Sequence, residues 1–284
     1  MGNAALSALA LVVVQVSLVA VATAASPDAA SDAAGYVLVR SHEAPAARQA
    51  VAADATYFYA IGNHEIDKHE RASGRKVAEW KGEADGPIRH LNSGVLIDGE
   101  LLCAHSNYPE IPMTSSIERF DPATLAHLGS HSFGIDQGSA TFVDRHAGAW
   151  WVAFAHYAAL RDGVKREGGE PGKGPEWTSL LRFDDAWRRT GGWVFPRDLV
   201  ARFAPSSSSG GLFAADGTLL VTGHDAAEIY VLKLPTAGSV LEWIATLPAP
   251  IEGQGIARDP TDDRALFGIV KGSRRVIEMR RGDR

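Results

Sequence analysis

One pattern recurs along most of this chain: a strand ending near an aspartate, a turn, an aromatic-rich strand, a more charged strand and a fourth strand. Self-similarity of this kind constrains the fold more than local propensity does, because each unit must stack on the next to bury its apolar face. The first copy runs 49–54, 56–62, 65–71 and 76–81, and the second 93–98, 100–104, 116–121 and 126–133. The third, 139–144, 149–155, 178–184 and 192–196, carries extra chain between its second and third strands. The fourth, 211–216, 218–222, 228–234 and 240–247, is the cleanest, with turns at Asp216-Gly217 and around Gly238. The fifth, 255–259, 265–270 and 275–280, stops one strand short.

Four short strands per repeat of about 45 residues match the blades of a propeller rather than helical or leucine-rich repeats. The chain therefore reads as all-β, a five-bladed β-propeller. The unassigned strand 36–40 is expected to pair as the outer strand of the last blade, closing the ring and removing its open seam. A six-bladed ring is the alternative if the long third copy hides a blade, but its excess, 161–174, is polar and Gly-rich.

With 284 residues and 45% hydrophobic side chains the chain can bury a large core, and 36–284 reads as one domain. Net charge is −6 with Lys and Arg scattered, which argues against nucleic acid as a partner. A monomer acting on a small molecule is expected. The aromatics Tyr57, Trp150, Trp151, Trp193, Tyr230 and Trp243 are expected to pack between neighbouring sheets. The single cysteine, Cys103, lies in an apolar run and reads as core, not as a thiol nucleophile.

The first 27 residues carry no charged side chain, and 4–20 is almost continuously apolar. Ala22-Thr23-Ala24 has the small-x-small form that signal peptidase needs, so 1–24 reads as a signal peptide and 25–35 as a disordered mature terminus. The protein is then secreted or periplasmic, with no membrane contact after cleavage. An uncleaved N-terminal anchor is the alternative, since Met1-Gly2-Asn3 lacks Lys and Arg and the apolar run is about as long as a bilayer span.

In a propeller the loop entering the first strand of each blade shares a face with the loop between its second and third strands. Counting back five residues from Asp54, Asp98, Asp144, Asp216 and Asp259 gives Gln49, Ser93, Ser139, Gly211 and Gln254. On the same entering loops lie His90, Asn92, Gln137 and Glu252, and the exits of the second strands give Asn63, His105, His156, His224 and Lys271, with His64 beside Asn63. Three histidines at one address would converge on the axis. Neutral imidazoles His105, His156 and His224 with an open position would bind a divalent metal, and uncoordinated they would serve as acid and base. Glu252 would add a carboxylate ligand or base, and Asp225 would orient His224. The substrate-binding set is then Gln49, Asn63, His64, His90, Asn92, Gln137, Asp225, Gln254 and Lys271. The Gly-rich insertion 160–177 would emerge on this face as a lid.

No phosphate-loop pattern, Cys-x-x-Cys pair or G-x-S-x-G elbow is present. The stretches His90-Leu91-Asn92-Ser93-Gly94, Cys103-Ala104-His105-Ser106-Asn107-Tyr108, Ser206-Ser207-Ser208-Ser209-Gly210-Gly211, Thr222-Gly223-His224-Asp225 and Glu252-Gly253-Gln254-Gly255-Ile256 resemble a group of exported bacterial propeller proteins. Some of these are labelled cycloisomerase-like. The resemblance implies the fold, and no catalytic residue is carried over from it. The expectation is an exported hydrolase or cycloisomerase-like enzyme acting on a small polar or anionic substrate, such as a sugar acid or lactone. The alternative is a non-catalytic binding propeller that uses rim residues such as Arg161, Lys165 and Arg166.

Overall fold

The computed structural model describes Met1 and residues 34–283 apart from 84, 162 and 166, and leaves the side chains of Leu160 and Arg161 undescribed. The signal segment 1–24 and most of 25–35 lie outside the described residues. Among those described, no helix is long and apolar enough to cross a membrane.

Five sheets of four or five strands form the body. Blade one is Ala50–Ala53, Tyr57–Ile61, Glu65–Glu70 and Lys76–Lys81. Blade two has Glu100–Ser106, Ser115–Phe120 and His127–Gly134, and its inner edge is split into His90–Leu91 and Val95–Ile97. Blade three is Ser139–His146, Ala149–Ala155, Ser179–Phe183 and Arg189–Val194. Blade four is Gly210–Phe213, Leu219–Thr222, Glu228–Lys233 and Glu242–Pro248. Blade five is Ala257–Arg258, Ala265–Val270 and Arg275–Arg281, completed by Tyr36–Glu43. That last strand pairs antiparallel from Tyr36 opposite Arg281 to Glu43 opposite Arg275, so the ring closes with the strand from the start of the fold as its outer edge.

Inner strands of successive blades touch around the whole ring, including blade five back to blade one. Five apolar clusters fill the five gaps between blades. This division follows from the pleat: alternate residues of a middle strand point to opposite faces, so each blade feeds two clusters. In blade two, Leu101 and Cys103 face blade one, while Leu102 and Ala104 face blade three. Trp151, Trp193, Tyr230 and Trp243 pack between blades three and four. Near the axis there is room only for glycine at some positions: a Cβ on Gly211 would lie 2.7 Å from the Phe142 ring.

The aspartates at the repeat ends make turns. Asp54 Oδ1 accepts from the amides of Thr56 (2.7 Å) and Tyr57 (2.6 Å), and Asp216 Oδ1 accepts from the Thr218 amide at 2.9 Å. Asp98 and Gly99 are both left-handed, as a two-residue hairpin turn of this type requires. Blade three departs from the expected register. Its hairpin turn is Ala147 and Gly148, both left-handed, so Ala147 takes the place of Asp98 and Asp144 lies three residues inside the strand. Among the described residues the insertion adds the two-stranded hairpin Leu160–Arg161 with Val164–Lys165, an isolated bridge between Glu170 and Lys173 and a short 3-10 turn at Pro175–Trp177, which do not make a sixth blade. A seven-residue helix, Arg197–Phe203, in the link to blade four was not expected; it buries Leu199 and Phe203, one turn apart, against blades three and four.

Candidate functional site

The three recurrent histidines do not share one address. His105 continues the row Leu101, Cys103 that faces the preceding blade, and His156 likewise continues Val152, Phe154. In blade four the same row is Leu219, Val221 and ends at Gly223, so His224 falls one residue further on and on the other face. Backbone pairing agrees: the amides of Gln49, Asn92 and Ser209 donate to the carbonyls of Ile61, Ala104 and Thr222, which makes Gly62, His105 and Gly223 equivalent.

Each histidine is accordingly in a different chemical state. His105 is 6% exposed and uses both ring nitrogens. Nε2 accepts from the Arg89 amide at 2.9 Å, which leaves the proton on Nδ1 to be donated to Ser116 Oγ at 2.8 Å. Ser116 in turn donates to Glu118, whose other oxygen receives Ser130 and, at 2.7 Å, His127 Nε2. Burial works to raise the Glu118 carboxyl, but the donors Ser116, Ser130 and His127 hold it below its ordinary range. Burial holds His105 below its ordinary value, with Glu118 opposing.

His156 is 3% exposed, and its Nε2 faces the Gln137 carbonyl at 3.0 Å, so Nε2 carries the proton. Its Nδ1 lies 3.8 Å from Glu170 Oε2, and burial lowers its pKa. Glu170, from the insertion, was not foreseen as part of this face: its Oε1 accepts from the Met113 amide at 2.9 Å, while the buried Oε2 has no hydrogen-bond partner among the described residues and lies 3.6 Å from Lys173 Nζ. No local motif marks it, because the loop that carries it has no repeat counterpart.

His224 is the open one, with 43% of its side chain exposed. Its Nδ1 lies 2.7 Å from Asp225 Oδ2 and 3.1 Å from Lys271 Nζ. The two neighbours ask for opposite protonation of the same nitrogen. Lys271 has two other acceptors, the His224 carbonyl at 3.0 Å and Asp225 Oδ1 at 2.5 Å. The shorter contact to a carboxylate therefore sets the tautomer: Nδ1 donates to Asp225, and Nε2 keeps its lone pair with no partner among the described residues. Burial works to raise the Asp225 carboxyl, but Lys271 and His224 hold it low.

The remaining predicted residues form a frame around this group. Gln254 is left-handed (φ 69°) and buried, and its Nε2 donates to the His224 carbonyl at 3.1 Å. Glu252 Oε2 accepts from the Gly272 amide at 2.7 Å, so its carboxylate orders the loop after Lys271 rather than facing His224. Gln49 Nε2 donates to Asn63 Oδ1 at 2.8 Å, and His64 beside them is exposed without a side-chain hydrogen bond among the described residues. Asn92 is buried and donates to the Ala140 carbonyl at 2.7 Å, tying blade two to blade three. Gln137 contributes its carbonyl to His156. His90 packs its ring 5.1 Å from that of Tyr108, which itself lies 5.2 Å from Tyr157. Burial pushes His90 down to about 4, with the nearby charges of His105 and His224 adding to the effect and Asn92 opposing it. His90 is thus a neutral imidazole near neutral pH.

This arrangement does not fit the expected metal. His105 has no free nitrogen, the Nε2 of His156 is occupied by a carbonyl, and among the described residues no three His, Cys, Asp or Glu side chains converge. Of the rim residues, Lys165 is exposed on the insertion hairpin, and Arg166 and the Arg161 side chain lie outside the described residues. Cys103 is buried between blades one and two, and burial raises its thiol pKa.

No family model matches the chain, and no curated protein is similar to it. Among solved structures, a chain of a mitotic checkpoint complex is 9% identical, covering 96% of this chain and 100% of that one with a TM-score of 0.45. A luciferin-regenerating enzyme is 10% identical over 84% of this chain and 92% of its own, with a TM-score of 0.46. Kuenenia stuttgartiensis hydrazine synthase is 10% identical over 81% and 82%, also with a TM-score of 0.46. Likeness this distant says nothing of what the present chain binds or does.

Proposed function

We propose that the loop face around His224 is the active site of an exported enzyme acting on a small polar or anionic substrate, a sugar acid or lactone. The observation that carries this reading is the Asp225-oriented imidazole with its Nε2 open, beside the Lys271 ammonium. A carboxylate on Nδ1 fixes the ring and stabilises the imidazolium that forms when Nε2 takes a proton. For a lactone, Nε2 removes a proton from water as its oxygen adds to the carbonyl carbon. The ring C–O bond then breaks, and the departing alkoxide takes the proton back from His224 to give the hydroxy acid. Lys271 supplies the positive charge that favours an anionic substrate or product. Export rests on the N-terminal segment read from the sequence.

The test is turnover of a panel of aldonolactones, followed by proton release, with wild type, His224→Ala, Asp225→Asn and Lys271→Met. Loss of His224 is expected to lower the rate by at least ~100-fold, the usual contribution of a positioned acid–base group. His131→Ala, in the groove beside Trp187, leaves it unchanged. No turnover by wild type, or full turnover by His224→Ala, overturns the reading.

A further inference from the structure

A second cavity lies at the other mouth of the channel, away from His105, His156 and His224. It is a cavity of about 590 Å3 walled mainly by the inner hairpins of blades three, four and five, with Ala53, Val95 and Leu96 from blades one and two. That volume is within the range of small-ligand sites, ~300–1,000 Å3. Next to it, between the inner strands, lies a constricted space of only about 10 Å3.

Arg258 lines both the cavity and the constriction. Its guanidinium is held from two sides: Nε donates to the Phe213 carbonyl at 2.9 Å and Nη2 donates to Asp144, which is 1% exposed. The third edge, Nη1, has no hydrogen-bond partner among the described residues, and 38% of the side chain remains exposed. A guanidinium fixed in this way offers a donor edge at little cost in conformational freedom. Arg281 also lines the cavity; among the described residues its side chain makes no hydrogen bond, and, after the hydrogen bond from Thr218, its charge helps hold the Asp216 carboxyl low. The other two arginines of the wall are engaged, Arg145 by Asp185 at 3.0 Å and Arg264 by Asp283 at 2.6 Å. Of the wall's carboxylates, Asp259 is paired with Arg71, Asp216 accepts from Thr218 and keeps its charge, and Asp263 is exposed. The lining holds four arginines against three aspartates, Asp216, Asp259 and Asp263, and Leu212, Leu220 and Leu266 supply an apolar wall.

We propose that this cavity binds a small organic monocarboxylate, its carboxylate received by Arg258 and Arg281 and its short apolar body against the leucines. The test is calorimetric titration with butyrate, the isosteric neutral butyramide and inorganic phosphate. Butyrate is expected to bind saturably and butyramide not at all. Arg281→Gln and Arg258→Lys, the latter keeping a cation beside Asp144, are each expected to weaken butyrate by about tenfold or more, with folding checked by thermal melting. His224→Ala, on the opposite face, leaves butyrate binding as in wild type, so this site and the proposed catalytic one stand or fall separately. Absence of saturable butyrate binding, preference for phosphate, or unchanged affinity in Arg281→Gln overturns the proposal.

Discussion

Arg258 of blade five and Asp144 of blade three are joined by a hydrogen-bonded ion pair although their blades are not neighbours in the ring. The contact therefore crosses the central channel, and Asp144 also accepts from the Phe213 amide of the intervening blade at 2.7 Å. One carboxylate thus ties three blades together at the axis.

Removing that carboxylate should be costly. Asp144→Ala is expected to destabilise the fold by about 3 kcal/mol, the lower end of the range for a broken buried pair, because Arg258 keeps some solvent contact. Urea denaturation of the single variants and of Asp144→Leu with Arg258→Leu checks this, the double variant being the more stable of the two aspartate replacements.

The closing strand is the second point of dependence. A chain beginning at residue 44 lacks Tyr36–Glu43 and leaves Arg275–Arg281 as an unpaired edge. It is expected to be aggregated or unfolded by gel filtration and circular dichroism, whereas a chain beginning at residue 34 is folded.

Much of this architecture was legible in the sequence, for identifiable reasons. The turn aspartates Asp54 and Asp216 and the dipeptide Asp98-Gly99 act locally, so they mark strand ends without knowledge of the fold, and a fifth repeat one strand short pointed to residues 36–40 as its complement. Registration of the site was not legible, because counting residues from an aspartate cannot see a bulge such as that between Ala140 and Phe142, or the split inner edge of blade two. A slip of one residue turns a side chain to the other face, which is why His105 and His224 looked equivalent. The pairing of Asp144 with Arg258 was hidden for the same reason.

Acid should weaken the protein through its buried imidazoles. His90 is held near 4, and His105 and His156 are also lowered, so between pH 6.5 and 4 the unfolded chain binds protons that the folded chain does not. The stabilisation is fully present above about pH 6.5 and is lost as the pH falls toward 4. His90→Gln is expected to reduce the slope of unfolding free energy against pH in that window, measured by urea melts. An unchanged slope counts against burial of the neutral ring.

Metal removal should have little effect, since His105 and His156 use their nitrogens on Arg89, Ser116 and Gln137. Dialysis against a chelator is expected to leave the melting temperature unchanged. A stoichiometric metal in the purified protein, with a fall in melting temperature on its removal, would overturn this assignment of the histidines.

The decisive measurement is a long-range 1H–15N correlation spectrum of the imidazoles at neutral pH, with His224 assigned by its loss in His224→Ala. The account predicts a proton on His224 Nδ1 and a bare Nε2, a pattern that shifts in Asp225→Asn. A proton on Nε2, with Nδ1 accepting from Lys271, contradicts the assignment of His224 as the base.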